Sequence, residues 1–342
     1  MGVITHRLYA IIRNKLLGEF ILNSTNKNDI LENLIDTQVL SILLCDRTTG
    51  KNVIWATNDY SELGSEYSFH SEILPELITG DKGEIIKPRI EKNKIAKANR
   101  VQNMAEVFTP SWICNQQNNL IDDAWFGKHA KRFNTEKDKG WETNYYKINF
   151  NEEKTWQEYV KDTRLEITCG EAPYLTSRYD AVTGKTLSVK SRVGLLDRKL
   201  RVINENVIDE DTWRKWARIA LQNTYGFEWQ GDNLLLAREN LLYTVIEHHF
   251  DKFSKGLSNK TICEFAEIIS WNIWQMDGLK YVVPESCHDE ISLFMDIPGV
   301  EVPTTHCPGC DNPKYRHNGI YACIKNWEDN EVIEFASIVQ KG

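Results

Sequence analysis

Hydrophobic and polar positions alternate with two different periods along the chain. Residues 5–22 have apolar side chains at helical spacing, at Leu8, Ile11, Ile12, Leu16, Leu17 and Phe20. The β-rich runs 39–44 and 53–57 flank a polar stretch at 47–51 that contains Gly50, which is typical of a hairpin. The pattern up to about residue 95 therefore predicts an α/β region.

The second half of the chain alternates short apolar runs with longer amphipathic segments. The predicted strands are 165–169, 225–229 and 271–276, and the predicted helices are 213–223, 234–250 and 262–269. This alternation predicts parallel strands sandwiched by helices. Such sheets bind ligands beyond the carboxyl ends of their strands.

The changes in pattern divide the chain into three predicted regions. The first is an N-terminal α/β accessory region at 1–100, and the second is a parallel-sheet region at 101–290. The third is a short segment at 291–342 that contains cysteine and histidine residues.

Composition narrows the class of protein. Of the 342 residues 41% are hydrophobic, and no apolar run approaches the roughly 18 residues that a membrane-spanning helix needs. Charged residues interrupt the apolar start of the chain, so we expect neither a signal peptide nor a membrane anchor. Eight cysteines are too few for a disulfide scaffold, and we expect reduced thiols in a cytoplasmic protein.

The charge balance is acidic. A net charge of −8 excludes a generally basic protein that coats nucleic acid, although a local basic groove stays open. The strongest positive bias lies between Lys82 and Arg100. Two interpretations of that stretch remain, a solvent-exposed helix face or linker and a segment that follows a phosphate backbone.

Acidic residues stand at or near the ends of the three predicted parallel strands. Glu166 lies in the first strand, which runs into Cys169 and Gly170; Glu228 ends the second, and Asp277 follows the third. Glycine lets a backbone approach a ligand closely, and carboxylates accept hydrogen bonds from ribose hydroxyls or an exocyclic amine. An acid after one strand is commonly a helix cap, but three in order predict a site for an adenosine-containing cofactor.

Two motifs in this region resemble a known family, the amino-group DNA methyltransferases of restriction–modification systems, which use S-adenosylmethionine. Phe108, Thr109 and Pro110 are similar to the Phe-x-Thr-Pro-type motif of that family. Residues 165–175 resemble its Asp-Pro-x-Cys-Gly-x-Gly-x-Phe-Leu loop, with the Cys-Gly pair in place.

The resemblance continues through the next two strands. Residues 225–228 and 236–241 are similar to the second strand and helix of the family, and residues 272–279 are similar to the third strand. The order is that of the gamma-type adenine enzymes and of modification subunits. It covers about half of the chain, from Arg100 to Asp277.

The resemblance implies a fold and a cofactor site. The implied fold is a Rossmann-like methyltransferase sheet, parallel and with helices on both faces, in residues 101–290. S-adenosylmethionine is then expected to contact Phe108, Thr109, Pro110, Glu166, Cys169, Gly170, Glu228 and Asp277. The first three residues correspond to the motif that packs against the methionine part of the cofactor.

The chain departs from the family pattern in several places. Ala172 stands where the family prefers a second glycine, which gives the loop less conformational freedom. A polar and basic insertion at 176–211 separates the first two strands. The nearest match to the catalytic Asp/Asn/Ser-Pro-Pro-aromatic motif is Asn312, Pro313, Lys314 and Tyr315, after a cysteine-bearing loop.

That tetrapeptide supplies the candidate catalytic residues. In the family, the polar side chain accepts hydrogen bonds from the target amine while the aromatic ring stacks on the flipped base. By this resemblance Asn312, Pro313 and Tyr315 are expected to contact the base.

Cysteine and histidine residues in the same segment have the spacing of metal ligands. The pattern C-x2-C-x6-H-x5-C can close one tetrahedral site, which suits Zn²⁺. The candidate ligands are Cys307, Cys310, His317 and Cys323, with His306, Cys287 and His288 as spare candidates. Ordinary reduced cysteines in a surface loop are the alternative. A zinc loop would enclose the candidate catalytic tetrapeptide and disfavour its catalytic role.

Two functions from different classes follow. The first is a DNA adenine-N6 methyltransferase, or its modification subunit, in a restriction–modification or phage-defence system. The second is a catalytically inactive methyltransferase-like module that binds cofactor or DNA and works with a partner subunit. Both have DNA and a partner subunit as expected partners, and neither involves a membrane.

Overall fold

The computed structural model describes residues 37–92, 109–127, 133–291, 304–312 and 314–339. The helices are α1 Thr37–Leu44, α2 Ser111–Phe126, α3 Trp156–Lys161, α4 Leu195–Asn206, α5 Glu210–Gln222, α6 Gly231–Phe253, α7 Asn259–Asn272, α8 Pro308–Asp311 and α9 Phe335–Val339. The strands are β1 Asn134–Lys137, β2 Gly140–Thr143, β3 Arg164–Glu166, β4 Thr224–Glu228, β5 Ile273–Gln275, β6 Glu290–Ile291, β7 Thr304–Thr305, β8 Cys323–Lys325 and β9 Val332–Glu334.

The strands β3, β4 and β5 form one parallel sheet in that spatial order. Glu166 pairs with Gly226, and Gly226 pairs with Ile273. Helices α4 and α5 lie between the first two strands in the chain, and α6 and α7 lie between the last two. The predicted α/β class and the parallel arrangement of these strands are confirmed.

The two faces of the sheet are covered differently. On one face Ile273 belongs to the main hydrophobic core, which includes buried residues of α4, α5, α6 and α7. On the other face Phe227 and Trp274 pack with Ala322, Ile324 and Phe335 of the C-terminal segment. The predicted Rossmann-like arrangement with helices on both faces is not confirmed, because the second face of these strands is covered by the segment that contains β8 and the short helix α9.

The N-terminal segment differs from its prediction at both β-rich runs. Residues 53–57 form no strand and contribute only an isolated bridge between Ile54 and Glu72. Residues 39–44 read as a strand in the sequence, but they lie in α1, whose buried side chains are Val39, Leu40, Leu43 and Leu44. This spacing is helical, and α1 packs against α7. The predicted turn is present, with Gly50 at φ +73° inside a bridge between Cys45 and Asn52.

Residues 37–92 share the main hydrophobic core with residues 133–273. The predicted helix at 5–22 lies outside the described residues, and the region boundaries at 100 and 290 stay predictions. Within the described ranges, no helix is both long enough and apolar enough to cross a membrane.

Arg238 of α6 is a buried connector between distant parts of this core. Its guanidinium donates to four backbone carbonyl oxygens, those of Ile273, Ser270, Leu43 and Cys45. The side chain is fully buried, and this burial lowers its pKa to about 10. The interaction holds α1 and its following turn against the junction of α7 and β5.

We predict that Arg238→Met lowers the free energy of unfolding by about 3 kcal/mol or more, because each buried acceptor that loses its donor costs roughly 1–3 kcal/mol. Arg214→Met is the matched control, since Arg214 pairs with the exposed Asp211. We expect the control to change the free energy by less than about 0.5 kcal/mol. Urea denaturation measures both, and equal losses would contradict the buried role of Arg238.

Candidate metal centre and acidic strand ends

The ends of the three parallel strands meet at one edge of the sheet. The N–H of Cys169 donates to the Phe227 carbonyl at 2.8 Å, and the N–H of Met276 donates to the Glu228 carbonyl at 3.0 Å. The N–H of Gly170 donates to Glu228 Oε2 at 2.9 Å. The structure therefore brings together four predicted residues, Cys169, Gly170, Glu228 and Asp277, which we call the strand-end cluster.

Glu228 is the central carboxylate of this cluster. Its Oε2 accepts from Gly170, and its Oε1 accepts from the N–H of Gln230 at 3.2 Å. The side chain is largely buried. Both oxygens of the Glu228 carboxylate thus accept backbone N–H groups at this edge of the sheet.

The two oxygens of the Asp277 carboxylate differ in their hydrogen bonds. Its Oδ1 accepts from the N–H groups of Leu279 and Lys280, at 2.9 and 3.1 Å. Among the residues that the structure describes, no hydrogen bond reaches Oδ2. This oxygen can accept a hydrogen bond from an amine or a hydroxyl.

Glu166 stabilises the loop that follows β3. Its two oxygens accept from the N–H groups of Tyr174 and Leu175, at 3.3 and 3.1 Å. Burial and, to a smaller extent, the nearby Glu228 raise the pKa of Glu166 to about 8 against the opposing effect of these bonds. The carboxyl thus serves the loop itself, and its predicted contact with a cofactor stays untested.

The same loop has an unusual backbone. Thr168, Gly170 and Ala172 have φ values of +47°, +53° and +62°, in the left-handed region. For a non-glycine residue this conformation costs roughly 1–2 kcal/mol. Ala172, expected from the sequence to restrict the loop, therefore takes the conformation that a glycine favours. Such backbone geometry is concentrated at functional sites in proteins.

The predicted N-terminal motif lies beside this loop. Pro110 immediately precedes α2, and the Thr109 side chain lies close to the hydroxyl of Tyr174 in the loop. Cys114 of α2 is close enough to Glu166 for the two to interact electrostatically. Phe108 lies outside the described residues.

A second group of side chains forms a candidate metal centre. The ligand atoms of Cys287, Cys307, Cys310 and His317 all lie within 4.8 Å of one another. Cys287 Sγ is 3.3 Å from Cys307 Sγ and 3.6 Å from Cys310 Sγ. His317 Nδ1 is 3.6, 3.6 and 3.5 Å from the sulphur atoms of Cys287, Cys307 and Cys310. We call these four residues the Cys3His group.

The distances fit a metal site better than a disulfide. A disulfide needs sulphur atoms about 2.05 Å apart. Bond lengths of about 2.3 Å to sulphur and 2.1 Å to nitrogen in a tetrahedron place the ligand atoms roughly 3.6–3.8 Å from one another. The Cys3His group could therefore hold a metal ion.

Local structure affects two of the thiols differently, because burial and hydrogen bonds to Cys307 and Cys310 raise the pKa of Cys287 to about 12. Cys307 precedes α8, and Asp289 accepts its N–H at 2.9 Å. Burial raises the pKa of the Cys307 thiol, but donation from the Asn318 N–H and from Cys287 lowers it overall to about 6. Because the thiolate is the form that binds metals, Cys307 is a suitable ligand.

The structure does not place the fourth ligand predicted from the sequence in this group. Cys323 lies in β8, where its N–H donates to Thr48 Oγ1 at 3.0 Å, and it is not part of the Cys3His group. Cys287, a spare candidate, takes its place. It is distant in sequence from Cys307, so local spacing did not join the two. The spare candidate His306 pairs instead with Asp289, at 3.0 Å.

The candidate catalytic tetrapeptide lies next to this group. Asn312 follows helix α8 rather than an apolar strand. Its N–H donates to the Pro308 carbonyl at 2.9 Å, and its Oδ1 accepts from the Lys314 N–H at 3.0 Å. Tyr315 is 64% exposed. Pro313 lies outside the described residues, so the tetrapeptide stays a prediction.

Lys280 lies near both candidate sites. Partial burial lowers its pKa, but the sulphur atoms of Cys310 and Cys287 and the carboxylate of Asp277 raise it overall. The Cys3His group and the strand-end cluster are therefore neighbours.

Several basic residues of the insertion belong to the interior, whereas Lys185 and Lys190 are exposed. Arg198 pairs with Asp122, and Arg192 pairs with Glu247. Lys199 donates to two backbone carbonyl groups. These three cations stabilise the fold. In the lysine-rich stretch, Lys92 pairs with the buried Asp232 at 3.2 Å, and residues 93–100 lie outside the described residues.

We predict that Glu166 makes stability depend on pH. Between its ordinary pKa of 4.5 and the folded value of about 8, the unfolded chain releases a proton that the folded chain retains. The free energy of unfolding should therefore fall as pH rises through this interval, by up to about 1.4 kcal/mol per pH unit from this group. Above the folded pKa this contribution is lost.

The Glu166→Gln variant should lack this contribution to the slope, whatever its absolute stability. Glu153→Gln, at an exposed position, should keep the slope of the unaltered chain. Urea denaturation at a series of pH values measures the slopes, and identical slopes for the unaltered chain and Glu166→Gln would refute the assignment.

Comparisons with known proteins assign no family to the chain. Neither a protein-family model, nor a curated protein, nor a solved structure matches it.

Proposed function

We propose that this chain is a modification subunit of a restriction–modification system, a DNA adenine-N6 methyltransferase that binds S-adenosylmethionine at the strand-end cluster. The observation that carries the proposal is the hydrogen bond of Gly170 to Glu228, beside Asp277 at the same edge of a parallel sheet. Ligands of such sheets bind beyond the carboxyl ends of the strands. The subunit would work in the cytoplasm on DNA, with a partner subunit.

The residues present fit the adenosyl part of the cofactor. Glu228 would accept hydrogen bonds from the ribose hydroxyls, and Asp277 Oδ2 would accept one from the adenine amine. Gly170 has a left-handed backbone and no side chain, so the loop would let the cofactor approach its backbone closely. Thr109 and Pro110 stand where the methionine part would pack, next to the same loop.

Methyl transfer would require the chain to orient the reactants more than to activate them. S-adenosylmethionine supplies a methyl group on a sulfonium that is already reactive. The task of the chain is then to hold the cofactor and to direct the target amine toward it.

A second candidate is a module that keeps the cofactor site and lacks catalysis of its own. It is favoured by the surroundings of Asn312, whose Oδ1 already accepts a local N–H and which follows a helix in the metal loop. A partner would then supply the catalytic motif and recognise the DNA target.

We also propose that the Cys3His group binds Zn²⁺. Three thiolates and one imidazole form a donor set that zinc binds in closed tetrahedral structural sites. The spread of 3.3 to 3.6 Å between the measured ligand atoms fits such a site.

We predict that Asp277→Asn weakens the binding of S-adenosylmethionine about 10- to 100-fold. The substitution leaves an oxygen to accept the loop N–H groups but replaces the other acceptor with a donor, and a hydrogen bond to a charged group contributes roughly 1.5–3 kcal/mol. Asp211→Asn, on the exposed side of α5, should bind as tightly as the unaltered chain. Calorimetric titration measures the affinities, and an unaltered chain that binds neither S-adenosylmethionine nor its demethylated product would refute the cofactor site.

Transfer of a tritiated methyl group to adenine-rich DNA separates the two functions. If the chain is the enzyme, we expect the methyl label to be incorporated into DNA by the chain alone or with the products of neighbouring genes. Asn312→Ala should then abolish this incorporation. Cofactor binding without transfer under every partner condition favours the inactive module.

We predict about one zinc ion per purified chain, retained by Cys323→Ser and lost by Cys287→Ser. Cys287 contributes a sulphur to the Cys3His group, whereas Cys323 does not. Mass spectrometry of metal content after dialysis measures the stoichiometry. The reverse pattern would support the ligand set predicted from sequence spacing and contradict the structure.

A further inference from the structure

The Cys3His group joins two segments that are separate in the sequence. Cys287 follows the turn after β5, whereas the other three ligands lie between β7 and β8. A metal bound there would close the chain between these segments and connect them in the folded state.

The first of these segments includes the tip loop, which we define as residues 277–283. Within it, the Asp277 N–H donates to the Val282 carbonyl at 2.8 Å, and the Tyr281 N–H donates to the Asp277 carbonyl at 2.7 Å. The backbone of Asp277 is thus held by the far side of its own loop.

The far side of the tip loop is in turn held by the segment after His317. The Val283 N–H donates to the Ile320 carbonyl at 2.8 Å, and the Ala322 N–H donates to the Tyr281 carbonyl at 3.0 Å. His317 is tied to the same segment, because its N–H donates to Tyr321 Oη at 2.8 Å.

The segment on the Cys287 side of the Cys3His group is also hydrogen bonded to the tip loop. Ser286, next to the ligand Cys287, donates to the Val283 carbonyl at 2.7 Å and accepts from the Ile320 N–H at 3.0 Å. A short chain of bonds thus runs from each side of the metal group to the loop that carries Asp277.

Hydrophobic packing near these bonds comes from two small clusters. Val282, Tyr321 and Ala336 are the buried members of one, and Tyr281 packs against the other, which includes Ala322. A segment with few buried apolar contacts opens locally at low cost in free energy. A metal ion that bridges both segments would supply stability that this packing lacks.

We infer that Zn²⁺ bound by the Cys3His group fixes the tip loop and thereby sets the position of the Asp277 carboxylate. Resting on the proposed function, the inference adds that the metal controls the affinity of the strand-end cluster for the adenosyl cofactor. Lys280, which lies near both Asp277 and Cys310, is at the junction of the two sites.

Hydrogen exchange followed by mass spectrometry tests the loop. The full chain is compared as purified with zinc, after removal of zinc by a chelator, and after zinc is added back. We expect metal removal to speed exchange at least 10-fold in peptides that contain residues 277–286 and 318–323, and added zinc to restore protection. Peptides from α5 and α6 should be unchanged, which shows that the chain stays folded.

Matched variants distinguish the effect of losing the metal from other effects of the chelator. Cys287→Ser should show the fast exchange of the metal-free chain even with zinc present, and Cys323→Ser should show the protection of the zinc-bound chain. Equal protection of the tip loop with and without zinc, or a chain that binds no zinc, would overturn the inference.

Titration with S-adenosylmethionine then distinguishes the two levels of the proposal. We expect the zinc-bound chain to bind at least 10-fold more tightly than the metal-free chain. If neither form binds cofactor while the tip loop still depends on zinc, the proposed function fails and the role of the metal in the loop stands. If both forms bind equally, the cofactor site stands and the coupling is overturned.

Discussion

The hydrogen bond between the Gly170 N–H and the Glu228 carboxylate is the contact on which the strand-end cluster depends. It fastens the loop after β3 to the end of β4, at a distance of 2.9 Å. The ladder then continues to β5 through the bond of Met276 with Glu228. Because an N–H bound to a carboxylate makes a strong hydrogen bond, it can offset part of the strain of the left-handed residues in that loop. Hydrogen bonds therefore connect the loop, the acid and the neighbouring strand at one edge of the sheet.

Much of this edge could be predicted from the sequence, whereas the metal group could be predicted only in part. The parallel strands follow from apolar runs that alternate with long helices. The strand predicted at 39–44 is a helix in the structure. A short apolar run is too short for its periodicity to distinguish a strand from a helix, and here the helix packs against α7. Cys307, Cys310 and His317 have local spacing, but Cys287 comes near them only through the turn after β5. Sequence spacing alone could not distinguish it from Cys323.

The metal group and the candidate catalytic tetrapeptide share one short segment, and this constrains the function. Asn312 directly follows α8 and lies between the candidate ligands Cys310 and His317. In a methyltransferase the corresponding residues must face the methyl group of the cofactor. Under the proposed function, the segment would either contribute to catalysis next to a bound ion or stabilise a cofactor-binding subunit whose partner completes the reaction. The two proposals differ in what a partner would provide, and both use the same strand-end cluster.

The contacts of Arg238 also bear on how the chain comes to be folded. Leu43 lies 195 residues before this arginine, and Ile54 lies 221 residues before Gln275, to which it is hydrogen bonded. Contacts of such long sequence separation form late, because the intervening chain must first be closed into a loop. During synthesis, the apolar face of α1 has to wait until α7 has left the ribosome. The first described helix is therefore among the last to be fully buried, and until then part of its apolar surface stays exposed in the nascent chain.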